Sequence, residues 1–348
     1  MDLEIAGRKI GPDHPPYIIA EMSANHNGSF ERAREILTAA ARTGVDALKM
    51  QTYTPDTITL NSDAPEFRIN DGLWDGRTLY DLYAEAYTPW EWHKPLFEHA
   101  RALDVTLFSS PFDRTAIDLL EDLGAPAYKI ASFEAVDLPL IRYAASTGKP
   151  LIISTGMANA EEIGEAIDAA RSAGGGQLAI LHCVSGYPAP ADQYNLRTIP
   201  ELINRFRVVT GLSDHTLDTA TAIAAVALGA SIIEKHFTLD RAAGGPDDSF
   251  SLEPDQFHAL CRDAKTAWSA LGGVDFGKKS SELSNVSFRR SLYVTRNIMA
   301  GEIFDETNVR SVRPGYGLAP KHWDAVIGKK STRDIAANTA LAWDMIDA

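Results

Sequence analysis

Two lysines interrupt apolar, β-rich runs of the sequence. Lys49 lies in ALKMQT and Lys129 lies in AYKIAS. An ammonium group within such a run must be paired or used, because an unpaired charge is strongly disfavoured away from water. Lysine offers a compact positive charge and serine an adaptable hydrogen-bond donor. The two lysines, together with serines that end neighbouring runs, are therefore predicted to bind a phosphate or a carboxylate.

Polar residues end all eight β-rich runs of the sequence, and three pairs stand two positions apart: Lys49 with Gln51, Ser213 with His215, and Glu234 with His236. Residues two apart in a strand have side chains on the same face, so both members of each pair should enter one pocket. The other runs contribute further candidates at their ends: Glu21, Ser132 with nearby Glu134, Ser154, and Ser185.

His215 and His236 end consecutive runs and could bring two imidazoles together. Glu21 or Glu234 could complete a mixed nitrogen and oxygen site, which suits Mn²⁺ or Mg²⁺, although two histidines also suit Zn²⁺. The alternative for each histidine alone is a satisfied residue of the core. After the last run, RAAGGPDDSFSLEP (241–254) is predicted to be a mobile loop, with Asp247 and Asp248 hydrogen-bonding sugar hydroxyls or amides.

The elements that must position these residues alternate regularly along the chain. Each β-rich run is followed by a segment with apolar residues at helical spacing, which predicts eight strand-helix units within about 250 to 270 residues. This pattern predicts a (β/α)8 TIM barrel, with an open doubly wound sheet as the alternative. The predicted strands are 17–23, 46–52, 106–111, 127–132, 150–156, 178–185, 207–215 and 231–237.

The strand-helix period ends in a polar, glycine-containing linker at 271–287. We expect a barrel domain at 1–280 and a second domain at 286–348. The second domain is small enough to have only a thin core, so docking onto the barrel or onto a second subunit is expected.

Composition excludes several classes of function. The 348 residues carry 33 Lys and Arg against 47 Asp and Glu, a net charge of −14, which argues against nucleic acid and anionic membrane as partners. The longest apolar stretch, 222–233, is shorter than the roughly 20 residues that a membrane helix needs. With only two cysteines and no signal-peptide pattern at the N-terminus, a cytoplasmic location is expected.

Nine motifs in order resemble the sialic acid synthase family: IAEMSANHNG, ALKMQTY, FSSPFD, YKIASFE, ISTGMA, HCVSGYP, GLSDHT, EKHFTLDR and GGPDDSFSLEP. The segment 286–348, with RSLYV and VRPG, resembles that family's C-terminal antifreeze-like (SAF, β-clip) domain. Within the family, EAYTPWEWHKPLFEHA and SFSLEP resemble the branch that makes pseudaminic acid more than the N-acetylneuraminate branch.

The resemblance implies a transferase that condenses phosphoenolpyruvate with an open-chain amino-sugar, 2,4-diacetamido-2,4,6-trideoxy-L-altrose, by C–O cleavage. N-acetylneuraminate or legionaminate synthesis is the alternative. It also implies that His215 and His236 hold Mn²⁺ or Mg²⁺, with Co²⁺ as a further option. Positions matching the phosphoenolpyruvate site are Lys49, Lys129, Ser132, Ser154, Ser185 and Ser213.

Further roles come from the same resemblance. Glu21 matches an acid near the reacting carbons, Glu134 a base or stabiliser for attack of water, and Gln51, Tyr187 and Asp247 match contacts to the sugar. Arg313 matches an arginine that one subunit lends to its partner's barrel, which implies a domain-swapped homodimer. At Ser185 the chain departs from the neuraminate branch, which carries an Asn in this motif.

Two hypotheses from the residues alone remain beside this one. Lys129 could act as the amine of a Schiff-base aldolase, since burial can lower the pKa of a lysine. Alternatively, the chain could bind sugar without catalysis.

Overall fold

A computed structural model describes residues 2–347 of the chain. Eight parallel strands form a closed barrel in sequential order, with the last strand hydrogen-bonded to the first. This confirms the predicted (β/α)8 barrel. A short antiparallel hairpin, β1 (Leu3–Ile5) and β2 (Arg8–Ile10), precedes it and was not predicted. The barrel strands are β3 (Tyr17–Glu21), β4 (Ala47–Thr52), β5 (Thr106–Pro111), β6 (Tyr128–Ile130), β7 (Leu151–Ser154), β8 (Leu178–Cys183), β9 (Val209–Asp214) and β10 (Ile232–His236).

Helices follow the strands and bury one apolar face against the outside of the barrel. Their first turns show ordinary capping: Ser29 accepts a hydrogen bond from the Arg32 amide, and Asn159 and Glu162 form a capping box. The helices that accompany the barrel strands are α1 (Phe30–Ala41), α2 (Pro55–Ile58), α3 (Leu79–Ala86), α4 (Trp90–Ala102), α5 (Arg114–Asp122), α6 (Leu138–Ser146), α7 (Ala160–Ser172), α8 (Thr198–Phe206), α9 (Ala220–Ala227) and α10 (Pro254–Leu271).

The interior of the barrel changes from apolar to charged along the strands. At the N-terminal end, the inward positions form an apolar cluster that includes Ile19, Ala47, Ala127 and Ile232. Two residues further along the same four strands, the inward positions are held by the charged residues Glu21, Lys49, Lys129 and Glu234. The apolar layers thus close the floor of a polar pocket at the C-terminal face.

The chain divides into two compact units between Gly272 and Gly273. The smaller unit contains an antiparallel pair, β11 (Ser291–Val294) with β12 (Val309–Val312), and one short helix, α11 (Trp323–Val326). It has its own apolar cluster, formed by Leu292, Val294, Ile298, Phe304, Val309, Val326, Ile335 and Leu341. Among residues 2–347, no helix is long and apolar enough to cross a membrane.

Candidate active site

Four inward residues of β3, β4, β6 and β10 form a buried charge network. The Lys49 ammonium lies 2.7 Å from Glu21 Oε2 and 3.7 Å from Glu234 Oε1. The Lys129 ammonium lies 2.8 Å from that same Glu234 oxygen. Since all four side chains are buried, the two lysines are neutralised by the two glutamates and not by solvent.

The network shifts the titration of its members. Burial raises the pKa of Glu21, although the Lys49 ammonium opposes this. Burial also acts to raise the pKa of Glu234, but Lys129 and Lys49 hold it below its usual value. Burial lowers the pKa of Lys129, partly offset by Glu234. Glu234 is therefore ionised and is the central anion of the site.

Three candidate serines, Ser132, Ser154 and Ser185, lie at or just after the ends of β6, β7 and β8, and β6 also carries Lys129. The Gly156 amide donates to Ser132 Oγ at 3.2 Å, and Ser154 Oγ is buried with no hydrogen-bond partner. A Cβ at Gly156 would lie 2.2 Å from Ser185 Oγ and 2.8 Å from Ser132 Oγ, so glycine leaves the hydroxyls room to converge. The converging hydroxyls of Ser132 and Ser185, with the unpartnered hydroxyl of Ser154 on the next strand end, are donors suited to an oxyanion.

Ser213, the fourth candidate serine, lies on the same inward face as Glu234. Its hydroxyl donates to Glu234 Oε1 at 3.5 Å, the oxygen that also meets Lys129. Ser213 therefore links the charge network to the end of β9.

The two histidines lie together at the ends of β9 and β10, with their ring centroids 5.5 Å apart. The Tyr187 ring packs 4.4 Å from the ring of His215, and the Phe250 ring packs 4.9 Å from that of His236. His215 Nδ1 is 2.8 Å from the carbonyl of Val184. A carbonyl accepts only, so this contact places a proton on Nδ1. Burial acts to lower the pKa of His215, but its hydrogen bond and charge interaction with the Cys183 side chain hold that pKa above its usual value.

His215 and His236 are the two residues that would hold a divalent ion here, and the remaining ligands of such an ion would have to come from outside the protein. Burial, with His215 and Lys49 adding to it, lowers the pKa of His236 well below its usual value, so its imidazole is neutral. The buried Nδ1 of His236 has no hydrogen-bond partner, so a nitrogen lone pair remains free. Within residues 2–347, no cluster of three or more His, Cys, Asp or Glu side chains has the arrangement of a metal site.

A polar chain connects the charge network to the loop after β10. Gln51 Nε2 donates to Glu21 Oε1 and to Ser23 Oγ, each at 3.0 Å, and Ser23 Oγ donates to Asp247 Oδ2 at 2.5 Å. Burial raises the pKa of Asp247, although the bond from Ser23 opposes the shift. Asp247 thus belongs to the polar chain of the site, and its contact with sugar stays a prediction. Asp248 is fully buried on other partners, which contradicts its predicted contact with sugar.

Glu134 ends a short 3-10 turn, Ser132–Glu134, that follows β6. Its carboxylate is largely shielded, and its buried Oε2 has no hydrogen-bond partner. Burial raises its pKa to about 7. A carboxyl group with such a pKa can both accept and release a proton near neutral pH.

The structure places the candidate residues in two groups. Those of the barrel lie at the C-terminal ends of its strands or on the loops that follow, whereas Arg313 is exposed in the smaller unit, directly after β12. Two aromatic contributions were missed. Trp74, from the long insertion between β4 and α4, donates from Nε1 to the Pro246 carbonyl at 3.2 Å and packs 5.9 Å from Tyr187, and Phe250 contacts both Tyr187 and His236. The length of the insertion after β4 was the one available signal for Trp74.

Comparison with known proteins agrees with the predicted family. The NeuB family model matches residues 36–276, and the SAF domain model matches residues 289–347. The chain is 46% identical over 94% of its length to a pseudaminic acid synthase of Campylobacter jejuni, covering 96% of that protein. It is 34% identical to an N,N'-diacetyllegionaminic acid synthase of Legionella pneumophila, covering 95% of each chain. A solved N-acetylneuraminic acid synthetase of Leptospira borgpetersenii is similar at a TM-score of 0.74 and 29% identity, covering 83% of this chain and 96% of that one.

Proposed function

This chain belongs to the NeuB family, and from that premise we propose that it is a pseudaminic acid synthase. It condenses phosphoenolpyruvate with 2,4-diacetamido-2,4,6-trideoxy-L-altrose to give pseudaminic acid and phosphate. The observation that carries the choice of acceptor is the 46% identity to a pseudaminic acid synthase, against 34% to a legionaminic acid synthase of similar coverage.

The phosphoenolpyruvate site is proposed at the lysines and serines of β4 to β9. Lys129 and Lys49 bind its negative charges, in exchange for part of their contact with Glu234 and Glu21. The convergent hydroxyls of the site donate to its oxygens: Ser132, Ser154, Ser185 and Ser213. Since the lysines are neutralised by glutamates, most of the specificity for an oxyanion comes from this serine cluster.

The acceptor sugar is proposed to lie between the histidine pair and the loop after β10. Gln51 and Asp247 offer hydrogen bonds to its amide and hydroxyl groups, and Tyr187 offers an aromatic face. In a domain-swapped homodimer, which the family resemblance supports, Arg313 of the partner subunit completes this site. A divalent ion held by His215 and His236, Mn²⁺ or Mg²⁺ with Co²⁺ as an alternative, would supply Lewis-acid polarisation of the aldehyde.

The condensation joins C3 of phosphoenolpyruvate to the aldehyde carbon, and the aldehyde oxygen gains a proton. This leaves positive charge on C2, and the carboxylate of Glu21 is proposed to stabilise it. Glu134, with its pKa of about 7, accepts a proton from the water that attacks C2. The bond between C2 and the phosphate oxygen then breaks, the C2 hydroxyl gives up its proton to the departing phosphate, and C2 becomes the ketone carbon of the product.

A panel of acceptors tests this function by phosphate release from phosphoenolpyruvate. We expect the highest kcat/KM with 2,4-diacetamido-2,4,6-trideoxy-L-altrose, with N-acetylmannosamine and 2,4-diacetamido-2,4,6-trideoxymannose as the comparison sugars. Enzyme stripped by a chelator should lose turnover and regain it with Mn²⁺. A higher kcat/KM for either comparison sugar would overturn the acceptor assignment, and full turnover without metal would overturn the role of the histidines.

Burial lowers the pKa of Lys129, as a Schiff-base lysine requires, but the ion pair with Glu234 opposes loss of its proton, so a Schiff-base aldolase is disfavoured. Borohydride with pyruvate should therefore trap no adduct on Lys129. A covalent adduct at this residue would favour the aldolase.

A further inference from the structure

The loop after β10 brings Asp247 and Phe250 into the pocket, but it has little regular structure of its own. Its far end is tied to the barrel by backbone bonds, from the Leu252 amide to the His236 carbonyl and from the Thr238 amide to the Leu252 carbonyl, both at 2.9 Å. Between these ends, the described backbone forms only short 3-10 turns. Side chains must therefore fix the position of the loop.

The carboxylate of Asp248 is the hub of these side-chain contacts, and it is fully buried. Its Oδ1 accepts from the hydroxyl of Thr238 and lies 3.5 Å from Arg32 Nη2. Its Oδ2 accepts from Asn27 Nδ2 at 2.9 Å and from the Gly245 amide at 2.8 Å. Four donors around one buried carboxylate satisfy it without any contact to the pocket.

These partners come from two regions of the barrel mouth. Thr238 and Gly245 belong to the loop itself, whereas Asn27 and Arg32 lie in the turn after β3 and the first turn of α1. The Asn27 side chain packs so closely against the loop backbone that a Cβ at Gly245 would lie 1.8 Å from Asn27 Oδ1. Asp248 therefore clamps the loop to the β3 end of the barrel.

The position of Asp247, the neighbour of Asp248, depends on this clamp. Asp247 Oδ2 reaches Ser23 Oγ at 2.5 Å and the Ala24 amide at 3.4 Å, both in the turn that Asp248 holds. Three residues after Asp247, the Phe250 ring lies 4.9 Å from that of His236. If the loop moved away from the turn, both side chains would leave the acceptor side of the pocket.

We propose that Asp248 is a positioning residue for acceptor-sugar recognition, which it serves by clamping the loop that carries Asp247 and Phe250 onto the turn after β3. This inference rests on the proposed function, because it assigns the sugar site to this side of the pocket. It is distinct from a general structural role, since the clamp lies away from the serine cluster that is proposed to bind phosphoenolpyruvate.

The test replaces the charge without changing the shape, by Asp248→Asn. The side-chain amide of Asn has one oxygen that accepts and one NH₂ group that only donates. The NH₂ group cannot accept the hydrogen bonds that one carboxylate oxygen of Asp248 accepted, so part of the clamp is lost. We expect the KM for the acceptor sugar to rise about tenfold or more while the KM for phosphoenolpyruvate changes by less than about twofold. Asp240→Asn is the matched control, because Asp240 is an exposed aspartate of the same loop that only caps its first 3-10 turn, and its kinetics should equal those of the wild type.

Hydrogen-deuterium exchange gives a second measurement that needs no substrate. Amides in 239–251 should exchange faster in Asp248→Asn than in wild type or Asp240→Asn, with β6 to β8 unchanged. Should Asp248→Asn fail to fold, Asn27→Ala removes one exposed donor of the clamp and should shift both measurements in the same direction by less.

Unchanged exchange in the loop, or equal increases in both KM values, would overturn the clamp. The experiments distinguish failure of the proposed function from failure of the clamp. If the wild type used none of the acceptor sugars, the proposed function would fall, whereas the exchange data would still decide whether Asp248 holds the loop.

Discussion

Glu234 is the residue on which the charge balance of the pocket depends. Its Oε1 lies within 3.7 Å of both Lys49 and Lys129 and accepts from Ser213 at 3.5 Å. Without this carboxylate, two buried ammonium groups would face Glu21 alone. Glu234 therefore compensates the charge of the two lysines in the absence of substrate, and in the proposed site the negative charge of phosphoenolpyruvate would take over part of this role.

At the scale of single residues, Glu134 is predicted to set the pH dependence of the reaction. Burial raises its pKa to about 7, from a usual value near 4.5. A base must be deprotonated to act, so kcat/KM should rise as the pH increases through about 7 and level off above it. Glu134→Gln should lower kcat by roughly 10²- to 10⁴-fold and remove this dependence, as measured by phosphate release from pH 5 to 9.

The exposed Glu161→Gln on α7 is the control for this profile and should reproduce the wild type. A wild-type profile already flat at pH 6, or an unchanged acid limb in Glu134→Gln, would assign the base to another group.

At the scale of elements, the last two barrel strands carry the histidines on their ends and are locked together from outside the pocket. Lys235 points outward between His236 and Glu234, and its ammonium lies 2.9 Å from Asp214 Oδ2 on β9 and also donates to the Thr216 carbonyl at 2.5 Å. The other oxygen of Asp214 accepts from the Thr216 amide at 2.9 Å. This buried pair fixes the ends of β9 and β10 relative to each other.

Replacing only the lysine should therefore be costly. Lys235→Met leaves the buried Asp214 carboxylate without its counter-ion, and we expect the free energy of unfolding to fall by about 3 to 5 kcal/mol in urea titrations. Removing both charges, in Lys235→Met with Asp214→Asn, should recover a large part of that loss because no charge is then left buried alone. Equal destabilisation of the single and double variants would show that packing, not the ion pair, holds these strands.

Much of the architecture was predictable from the sequence, because each strand and helix is specified by its own local period. The strands predicted at 46–52 and 231–237 are observed as Ala47–Thr52 and Ile232–His236, and the period of two predicted which side chains share the pocket. Lys49 and Lys129 were predicted to be paired or used, but their partners were not predictable. Glu21 and Glu234 are far apart in sequence and meet because β10 closes the barrel against β3.

The opposite orientations of Asp247 and Asp248 were also beyond the sequence. Both are buried aspartates of one loop without periodic structure, and only the approach of the turn after β3 decides which partners each carboxylate meets. The hairpin β1–β2 was missed because its strands have three residues each, too few to establish a period.

At the scale of the whole molecule, the net charge of −14 contrasts with a pocket that holds Lys49 and Lys129 at its centre. Long-range attraction of an anionic substrate should be weak, since the exterior is acidic and salt screens charges beyond about 10 Å. Recognition of phosphoenolpyruvate then depends on groups inside the barrel mouth. An arginine supplied by a second subunit would add positive charge to a barrel whose own Lys49 and Lys129 are already paired with glutamates.

Mixed dimers test whether Arg313 acts on the barrel of its partner, as the resemblance to the sialic acid synthase family implies. Lys129→Ala disables a barrel but keeps Arg313, and Arg313→Ala keeps a barrel but lacks the arginine, so each homodimer should be nearly inactive. In an equimolar mixture formed by co-expression, half of the dimers should be mixed, and each mixed dimer has one intact barrel facing an intact arginine. Activity should therefore recover to about a quarter of the wild type. Because an arginine acting within its own chain would leave every barrel in the mixture defective, no recovery would refute the exchange of domains, and a monomer by size-exclusion chromatography would refute the dimer itself.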